Sequence, residues 1–434
     1  MRIVDLIQTK RDGGELSKEE IEFFSQGFVR GEIPDYQMAA LLMAVYFSGL
    51  SDQELVDWTE NMLRLAPAID LSDIPGPKID KHSTGGVGDK TSLIVGPLAA
   101  AAGITVPMIA PRGVAHTGGT LDKVQSIPGF NTQLNAKDFK GVLRKTGIAI
   151  IGDNEELTPS DKKLASLRNA TGTVESIPLI VTSMLSRKLA EGIDGLVLDV
   201  KTGSGALVKK MTDSRRLAQS LVHVAKRMGK KAVCVISDMD QPLGNAIGNA
   251  LEVMEAVEAM RGNGPSDLVE LSIELAARMV TLAFPDRSLE AAKEQVFTLL
   301  NDGSALKKFR QLIEAQGGNS QIVDSFELLP NASAEYVISS PRAGFVSRIS
   351  ADDIGQATAL LGASRQKMDA KIDYAVGIVL EHKTGDRVQA GERLCTIYYN
   401  EDTHLEEASQ MVEDAFHISA TAPEPHPLIY EILQ

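Results

Sequence analysis

Two glycine-rich segments carry the residues whose types and spacing suggest chemistry. The first, residues 81–92, reads KHSTGGVGDKTS and lies between a predicted strand and a predicted helix that begins at Thr91. Glycines let backbone N–H groups turn tightly against an anion, and a helix N-terminus adds partial positive charge. Lys81, Ser83 and Ser92 add one cation and two hydroxyls, which suits phosphate. The segment matches neither a Walker A loop nor a GxGxxG fingerprint, so a purely structural turn stays an alternative.

The second segment, residues 111–123, reads PRGVAHTGGTLDK and follows another predicted strand. Two such connections after neighbouring strands would converge at one end of a sheet, where α/β proteins bind ligands. Together they predict a phosphate pocket. Of the two histidines in these segments, His82 is the better catalytic candidate because it stands between Lys81 and Ser83, whereas His116 is expected to satisfy a buried carbonyl.

The composition restricts the class of protein. The chain has 434 residues, a net charge of −14 and 43% apolar residues, as expected for a folded protein of two or three domains. Its acidic balance argues against nucleic acids or anionic membranes as partners, so the positive charge that binds an anion must be local. The two cysteines, Cys234 and Cys395, lie outside metal-ligand spacings, and no apolar run reaches the ~20 residues of a membrane span. We therefore expect a cytoplasmic protein.

The elements that must position these residues fall into three groups. Residues 1–65 are predicted as short helices, one of them capped by Ser17 with Glu20 three positions later. Beyond them, strand-length apolar runs alternate with helices, which predicts an α/β fold on a mostly parallel sheet. The predicted strands of this sheet are residues 106–109, 148–151, 195–200 and 232–236.

Helical patterns at residues 160–190 interrupt this alternation and could rejoin the N-terminal helices as one discontinuous helical domain beside the larger α/β domain. The helical domain comprises residues 1–65 together with 160–192, and the α/β domain comprises 78–159 together with 193–330. Residues 335–434 are predicted as a C-terminal α+β region that resembles a barrel-sandwich, because turn-rich connectors join its strands.

Several motifs resemble the pyrimidine-nucleoside phosphorylase and thymidine phosphorylase family across essentially the whole chain. They are KHSTGGVGDKTSL, HTGGTLDK, LTPSDKKLASLR, SIPLIVTSML, DVKTGSGA, SDMDQPLGNAIGNALEV and PLIYEIL. The resemblance implies a homodimeric pentosyltransferase in which a small helical domain, serving dimerisation and base binding, lies across a cleft from the larger α/β domain. The implied reaction is reversible phosphorolysis of uridine, thymidine or deoxyuridine by orthophosphate, giving free base and ribose or deoxyribose 1-phosphate, with no required cofactor.

The resemblance also implies roles for individual residues. The phosphate ligands it implies are Lys81, Ser83, Ser92 and Thr120, and the base ligands are Arg168, Ser183 and Arg187. His82, Arg168 and Arg187 would be catalytic. The two arginines would stabilise the negative charge that develops on the departing base, and His82 would donate to its O2 atom.

A cation site, monovalent or divalent, is a further implication of the resemblance. Its ligands would be Gly88, the residue at position 90, Leu243, Ala246 and Glu255. Because position 90 is Lys in this chain, its ammonium could pair with Glu255 and replace the ion. Both a bound metal and its replacement by Lys90 stay open at this point.

Some positions within the motifs depart from the family pattern: Ala110, Pro111, Asn169, Gly172 and Arg187. Ala110 lacks a hydroxyl and Pro111 lacks a backbone N–H that would face phosphate, and Arg187 presents a planar fork where the family has Lys. These changes could be neutral drift, or they could alter nucleoside preference or weaken turnover. A non-catalytic nucleoside-binding relative is a second alternative. A phosphoribosyltransferase is a third, although an acidic magnesium–pyrophosphate motif is not evident beside the loop.

Overall fold

The N-terminal part of the chain is helical. The computed structural model describes residues 1–65, 69–113, 118–152, 159–365 and 371–434. The first helices are α1 (Ile3–Arg11), α2 (Lys18–Arg30), α3 (Asp35–Ser48) and α4 (Asp52–Arg64). Ser17 forms a capping box with Glu20, which confirms the predicted start of α2, and Ser51 forms one with Glu54 at α4.

An alternation of strands and helices follows. Its elements are β1 (Ile79–Ser83), α5 (Thr91–Ala101), β2 (Val106–Ala110), α6 (Thr120–Gln125), α7 (Ala136–Thr146) and β3 (Ile148–Gly152). Strand β1 is longer than predicted, because Lys81, His82 and Ser83 pair with the next strand of the sheet instead of belonging to the glycine-rich loop. These three side chains therefore stand on a rigid strand.

Two helices interrupt the alternation, namely α8 (Pro159–Thr171) and α9 (Ile177–Ala190). Leu164 and Leu179 on these helices pack in one apolar core with Phe24 and Trp58 of the N-terminal helices. Helices α8 and α9 therefore pack with the N-terminal helices, and Arg168, Ser183 and Arg187 lie on them.

The second half of the α/β unit supplies the buried centre of the sheet. Its elements are β4 (Gly195–Thr202), α10 (Met211–Arg227), β5 (Lys231–Asp238), β6 (Ala246–Ile247), α11 (Asn249–Met260), α12 (Ser266–Ala283), α13 (Leu289–Asn301) and α14 (Ser304–Ala315). Every residue of β4 is buried. Burial on both faces explains the continuous apolar runs of the central strands.

In the described part of the C-terminal region, the strands form small antiparallel sheets in the orders β10–β8–β12 and β6–β9–β11–β7. Its elements are β7 (Ala334–Ser339), β8 (Gly344–Ile349), α15 (Ala351–Thr358), β9 (Gly377–Leu380), β10 (Arg387–Val388), β11 (Arg393–Tyr399), α16 (Leu405–Ala415), β12 (Phe416–Ser419) and β13 (Ile429–Leu433). Strand β6 joins the α/β unit to this region by pairing with β9.

The central sheet has the strand order β1–β4–β5–β13, with β1, β4 and β5 parallel. A parallel bridge between Lys78 and Thr105 connects β1 to the parallel pair β2–β3. The last strand, β13, pairs antiparallel with β5, whereas the sequence analysis assigned residues 429–433 to the C-terminal region. Within the described part of the chain, no helix is both long enough and apolar enough to cross a membrane.

Candidate active site

A cavity of about 400 Å³ lies at the carboxyl ends of β1 and β2, beside α8 and α9. Its lining includes all the residues that the sequence analysis associated with phosphate or base, namely Lys81, His82, Ser83, Ser92, Thr120, Arg168, Ser183 and Arg187. A volume of this size accommodates a small metabolite. The fold thus brings these residues around one space, and their individual roles stay predictions.

Lys81 is a buried cation on the side of the cavity that we call the phosphate side, after the predicted phosphate ligands Lys81, Ser83, Ser92 and Thr120. Its Nζ donates to Thr91 Oγ1 at 2.6 Å and to Ser92 Oγ at 3.4 Å. The nearest carboxylate oxygens, on Asp89 and Asp199, are both 3.9 Å away, which is longer than a direct hydrogen bond. Burial lowers the pKa of Lys81. The ammonium therefore has hydroxyl partners and only distant counter-charges, which favours an added anion.

Asp89 balances the buried lysines of this side. Burial by itself would raise the pKa of Asp89, but Lys81, Lys201 and Lys123 hold it well below its usual value. Lys201 is itself paired with Asp199 at 2.8 Å, and Lys123 Nζ donates to the Asp89 carbonyl at 2.7 Å. Lys123 also pairs with Glu252 at 2.9 Å. The three lysines are thus matched by three carboxylates, and Lys81 is the one whose carboxylates lie no closer than 3.9 Å.

The glycine-rich segment needs glycine at Gly88. Its φ is +72°, and an added Cβ would lie 2.5 Å from the Leu243 carbonyl oxygen. Nearer the strand, Ser83 Oγ accepts the Gly85 N–H at 3.1 Å. This turn therefore combines left-handed backbone with close approach of a neighbouring loop, and a side chain at Gly88 would disrupt both.

The second glycine-rich segment closes another side of the cavity. Asp122 accepts the Gly113 N–H at 2.8 Å and Arg112 Nη1 at 2.8 Å. Ala110 and Pro111 line the cavity, so two of the departures from the family pattern face the ligand space. Thr120 is the first residue of α6. His116, with residues 114–117, lies outside the described residues.

Arg168 lies on the side that we call the base side, after the predicted base ligands Arg168, Ser183 and Arg187, and one of its nitrogens has no hydrogen-bond partner in the part of the chain that the structure describes. Its Nη1 donates to the Leu179 carbonyl at 3.1 Å and its Nη2 to the Val174 carbonyl at 2.7 Å. Among the described residues, the buried Nε has no hydrogen-bond partner. Burial lowers the pKa of Arg168 to about 10, so the side chain stays charged at neutral pH. A carbonyl oxygen of a ligand would satisfy that nitrogen.

Asp161 is a site residue to which the sequence analysis assigned no role. It is 3% exposed, and its carboxylate accepts Arg187 Nε at 3.0 Å as well as hydrogen bonds from Arg187 Nη2 and the Ser183 hydroxyl. The sequence feature that could have identified Asp161 is its position seven residues before Arg168, because residues two helical turns apart share a face of a helix. Asp161 therefore orients two of the predicted base ligands.

His82 is buried and neutral. Burial lowers its pKa well below the usual value, and the positive charges of Lys188, Arg187 and Lys81 add to the effect. A neutral imidazole carries a single N–H, so His82 can donate one hydrogen bond into the cavity.

A buried ion network joins α9 to the sheet. Lys188 Nζ contacts Asp80 at 2.7 Å, the Ile109 carbonyl at 2.8 Å and Glu191 at 2.7 Å. Burial, with the negative charge of Asp80, raises the pKa of Glu191 well above its usual value. This network fixes the helix that bears Ser183 and Arg187 against β1 and β2.

The residues implied for a cation already surround the Lys90 ammonium. Lys90 Nζ donates to the Ala246 carbonyl at 2.7 Å and the Leu243 carbonyl at 3.1 Å, and it forms an ion pair with Glu255. The ammonium already contacts all of these oxygens and would repel an additional positive ion, so a separate metal does not fit. Of the two alternatives that the sequence left open, these contacts favour Lys90. Elsewhere in the described ranges, no group of three or more His, Cys, Asp or Glu side chains could hold a metal ion.

Comparisons with known proteins agree with this architecture. Family models match at residues 4–66 (glycosyl transferase family, helical bundle domain), 75–306 (glycosyl transferase family, a/b domain) and 345–419 (pyrimidine nucleoside phosphorylase C-terminal domain). The pyrimidine-nucleoside phosphorylase of Geobacillus stearothermophilus is 47% identical over 431 residues, covering 99% of both chains. That of Bacillus subtilis (strain 168) is 47% identical over 434 residues, covering 99% of this chain and 100% of its own.

A solved structure shows a likeness of fold alone. The crystal structure of anthranilate phosphoribosyltransferase from Thermus thermophilus matches with a TM-score of 0.59 at 17% sequence identity. The match covers 71% of this chain and 98% of that one.

Proposed function

Because the chain belongs to the pyrimidine-nucleoside phosphorylase family, we propose that it catalyses the reversible phosphorolysis of pyrimidine nucleosides by orthophosphate. The products are free base and ribose or deoxyribose 1-phosphate. The observation that carries this proposal is the single cavity lined by Lys81 and Ser92 on one side and by Arg168, Ser183 and Arg187 on the other. One side suits a phosphate dianion, and the other suits a base with carbonyl oxygens.

The proposed reaction needs positioning and electrostatic stabilisation. A phosphate oxygen bonds to C1′ of the sugar as the bond from C1′ to N1 of the base breaks, and the electron pair of that bond passes to the base. Arg168 and Arg187 stabilise the resulting negative charge, and the N–H of neutral His82 donates to O2. The base anion then takes up the proton that hydrogenphosphate brings, so that neutral base and the sugar 1-phosphate dianion are the products. Phosphate held by Lys81 balances the positive charge on the sugar. Every group in this scheme belongs to the protein or to its two substrates, so no cofactor takes part.

A phosphorylase with altered specificity or weak turnover is the second candidate. Ala110, Pro111 and Asn169 line the cavity, and Arg187 is bound to Asp161 by its guanidinium. Loss of one donor to a phosphate anion weakens binding by about 1.5–3 kcal/mol, or roughly tenfold to a hundredfold, unless another group compensates. This candidate predicts a high KM for phosphate, whereas a non-catalytic relative would bind nucleoside without forming product.

Steady-state phosphorolysis of uridine, thymidine and deoxyuridine, with phosphate varied, tests the proposal. We expect phosphate-dependent release of free base from at least one of the three, and loss of that release in Lys81→Met. Calorimetric titration with the same nucleosides accompanies the assay. Nucleoside binding without base release at any phosphate concentration would contradict the proposal and favour a binding protein.

We further propose that the enzyme is a homodimer formed through its helical unit. Phe47 and Tyr36 on α3 are 80% and 74% exposed, and Val4 on α1 is 44% exposed. Large apolar side chains exposed on two packed helices of one unit favour burial against a partner. We expect Phe47→Asp to shift the mass measured by light scattering towards the monomer, whereas Phe297→Asp on α13 leaves it unchanged. An unaltered mass for Phe47→Asp would contradict this interface. The cytoplasmic location stays a prediction.

A further inference from the structure

The Lys90 side chain is enclosed by oxygen atoms from distant parts of the chain. It is completely buried. Its Nζ contacts the carbonyl oxygens of Leu243 and Ala246, which flank a turn before α11, and the carboxylate of Glu255 on α11. Two carbonyls and one carboxylate form the type of oxygen shell that cations prefer in proteins.

Glu255 needs a positive partner at this place. Its side chain is 11% exposed, and its carboxylate also accepts the backbone N–H groups of Asn245 at 2.9 Å and Ala246 at 3.1 Å. A carboxylate that is largely removed from water is costly unless its charge is compensated. The Lys90 ammonium supplies that charge and at the same time closes the turn at residues 243–246.

The same lysine fixes the phosphate side of the cavity through its two chain neighbours. Thr91 Oγ1 lies 2.6 Å from Lys81 Nζ and 2.5 Å from the Asp89 carboxylate. The Lys90 backbone N–H donates to the Gly88 carbonyl at 2.9 Å. Holding residue 90 in place therefore also fixes Asp89 and Thr91, the two groups that surround Lys81.

We infer that the Lys90 ammonium acts as a built-in monovalent cation that anchors the glycine-rich segment to the turn at 243–246, so that the protein needs no dissolved cation there. Lys90 is a positioning residue, because it acts on the pocket through Asp89 and Thr91. The inference goes beyond the proposed function and concerns the folded chain with or without substrate.

Thermal unfolding without substrate, in KCl and in choline chloride of equal ionic strength, tests the inference. The wild-type midpoint is expected to be the same in both salts. Lys90→Thr leaves room for an ion and adds a hydroxyl oxygen. In choline chloride its midpoint should lie below that of the wild type. In KCl its midpoint should be at least about 4 °C higher than in choline chloride, because an ion that binds the folded state stabilises it. Lys90→Met fills the space without charge and should be destabilised equally in both salts.

Lys383→Met is the matched control. Lys383 Nζ donates to the Gly244 carbonyl at 2.8 Å and contacts Asp267 at 3.1 Å, so it holds the same turn by other partners. Its loss should lower the midpoint without a response to K⁺. A response equal to that of Lys90→Thr would mean that K⁺ acts generally on this turn and would overturn the inference.

Crystals of the wild-type protein soaked in RbCl provide an independent test. We expect no anomalous density for Rb⁺ among the oxygens of Leu243, Ala246 and Glu255. Rubidium density there, a wild-type midpoint raised by K⁺ alone, or a Lys90→Thr variant that is unresponsive to K⁺ or unfolded even in KCl would each overturn the inference. Because none of these measurements includes nucleoside or phosphate, a failure of the proposed function would leave their outcomes unchanged.

Discussion

Asp161 binds Ser183 and Arg187 with a single buried carboxylate. Both partners are predicted ligands of the base, and they lie one turn apart on α9. A charged acceptor holds a guanidinium more firmly than an amide does, because charge-assisted hydrogen bonds are the stronger ones. The orientation of these two predicted base ligands therefore depends on Asp161, which contacts the ligands and is not expected to contact the substrate.

The first prediction concerns this carboxylate. Asp161→Asn keeps the shape but removes the charge that orients Arg187, so we expect the KM for nucleoside to rise about tenfold or more. The KM for phosphate should change less than about twofold, since Asp161 contacts the helix of the base side. Steady-state kinetics with each substrate varied in turn measures both constants.

Asp122→Asn is the counterpart on the other side of the cavity. Asp122 fixes Gly113 and Arg112 in the second glycine-rich segment, so this variant should raise the KM for phosphate more than that for nucleoside. Equal effects of either substitution on both constants would contradict the assignment of the two sides. Arg187→Lys, which loses the fork bound by Asp161, should alter base selectivity more than phosphate affinity.

His82 provides a prediction about pH. Its pKa in the folded protein is lowered well below the usual value of 6.5, first by burial and then by nearby cations. Between that lowered pKa and pH about 6.5, the His82 imidazole is protonated in the unfolded chain and neutral in the folded protein. The stability that neutral His82 contributes is thus complete above pH about 6.5 and is lost as the pH falls towards the folded pKa.

His82→Gln keeps an N–H donor without a titrating group. Urea denaturation measures the free energy of unfolding of both proteins. As pH falls from about 7.5 to about 5.5, the wild type should therefore lose more of this free energy than the variant does. A constant difference over this range would contradict a lowered pKa for His82.

At the scale of elements, the loop between β1 and α5 joins a rigid strand to a helix N-terminus through left-handed glycines. Gly88→Ala would place a methyl group 2.5 Å from the Leu243 carbonyl oxygen at a φ of +72°. We expect a loss of stability above the roughly 1–2 kcal/mol of left-handed strain alone, together with a raised KM for phosphate. Thermal unfolding and phosphate kinetics measure the two effects.

Gly103→Ala is the control variant that introduces left-handed backbone strain without a steric contact. Gly103 has a φ of +89°, and nothing lies within 4 Å of its added Cβ. This variant should show the backbone strain alone, with an unchanged KM for phosphate. If Gly88→Ala and Gly103→Ala were equally stable and equally active, close packing against Leu243 would be irrelevant to the loop.

The elements themselves could be predicted largely from local pattern. The runs at 148–151 and 232–236 are strands, as expected from their apolar character, and Ser17 caps its helix as predicted. The end of β1 was placed too early, because Lys81, His82 and Ser83 are polar. A polar residue continues a strand when the sheet offers it a partner, and β4 supplies that partner.

At the scale of the whole molecule, the C-terminal strand completes the central sheet. Strand β13 covers the edge of β5, and the Tyr430 hydroxyl donates to Asp238 at 3.0 Å. Removal of residues 428–434 would expose the unpaired N–H and C=O groups of β5, which favours aggregation. We expect a loss of more than about 2 kcal/mol in free energy of unfolding, measured by urea denaturation.

Tyr430→Phe keeps the strand and removes only that hydroxyl. Its free energy of unfolding should fall by about 0.5–1.5 kcal/mol. An unchanged denaturation midpoint for the truncated chain would mean that β13 does not stabilise the sheet.

The sequence by itself determined the alternation of strands and helices, the glycine-rich connections, the helix caps and the residue types that line the cavity. These features depend on neighbours along the chain, so the order of residues contains them. Only the tertiary structure decided that Asp161 orients Arg187, that Lys90 meets Glu255 from 165 residues away, and that β13 returns to β5. Such contacts depend on how distant elements pack, and burial in that packing also sets the pKa of His82.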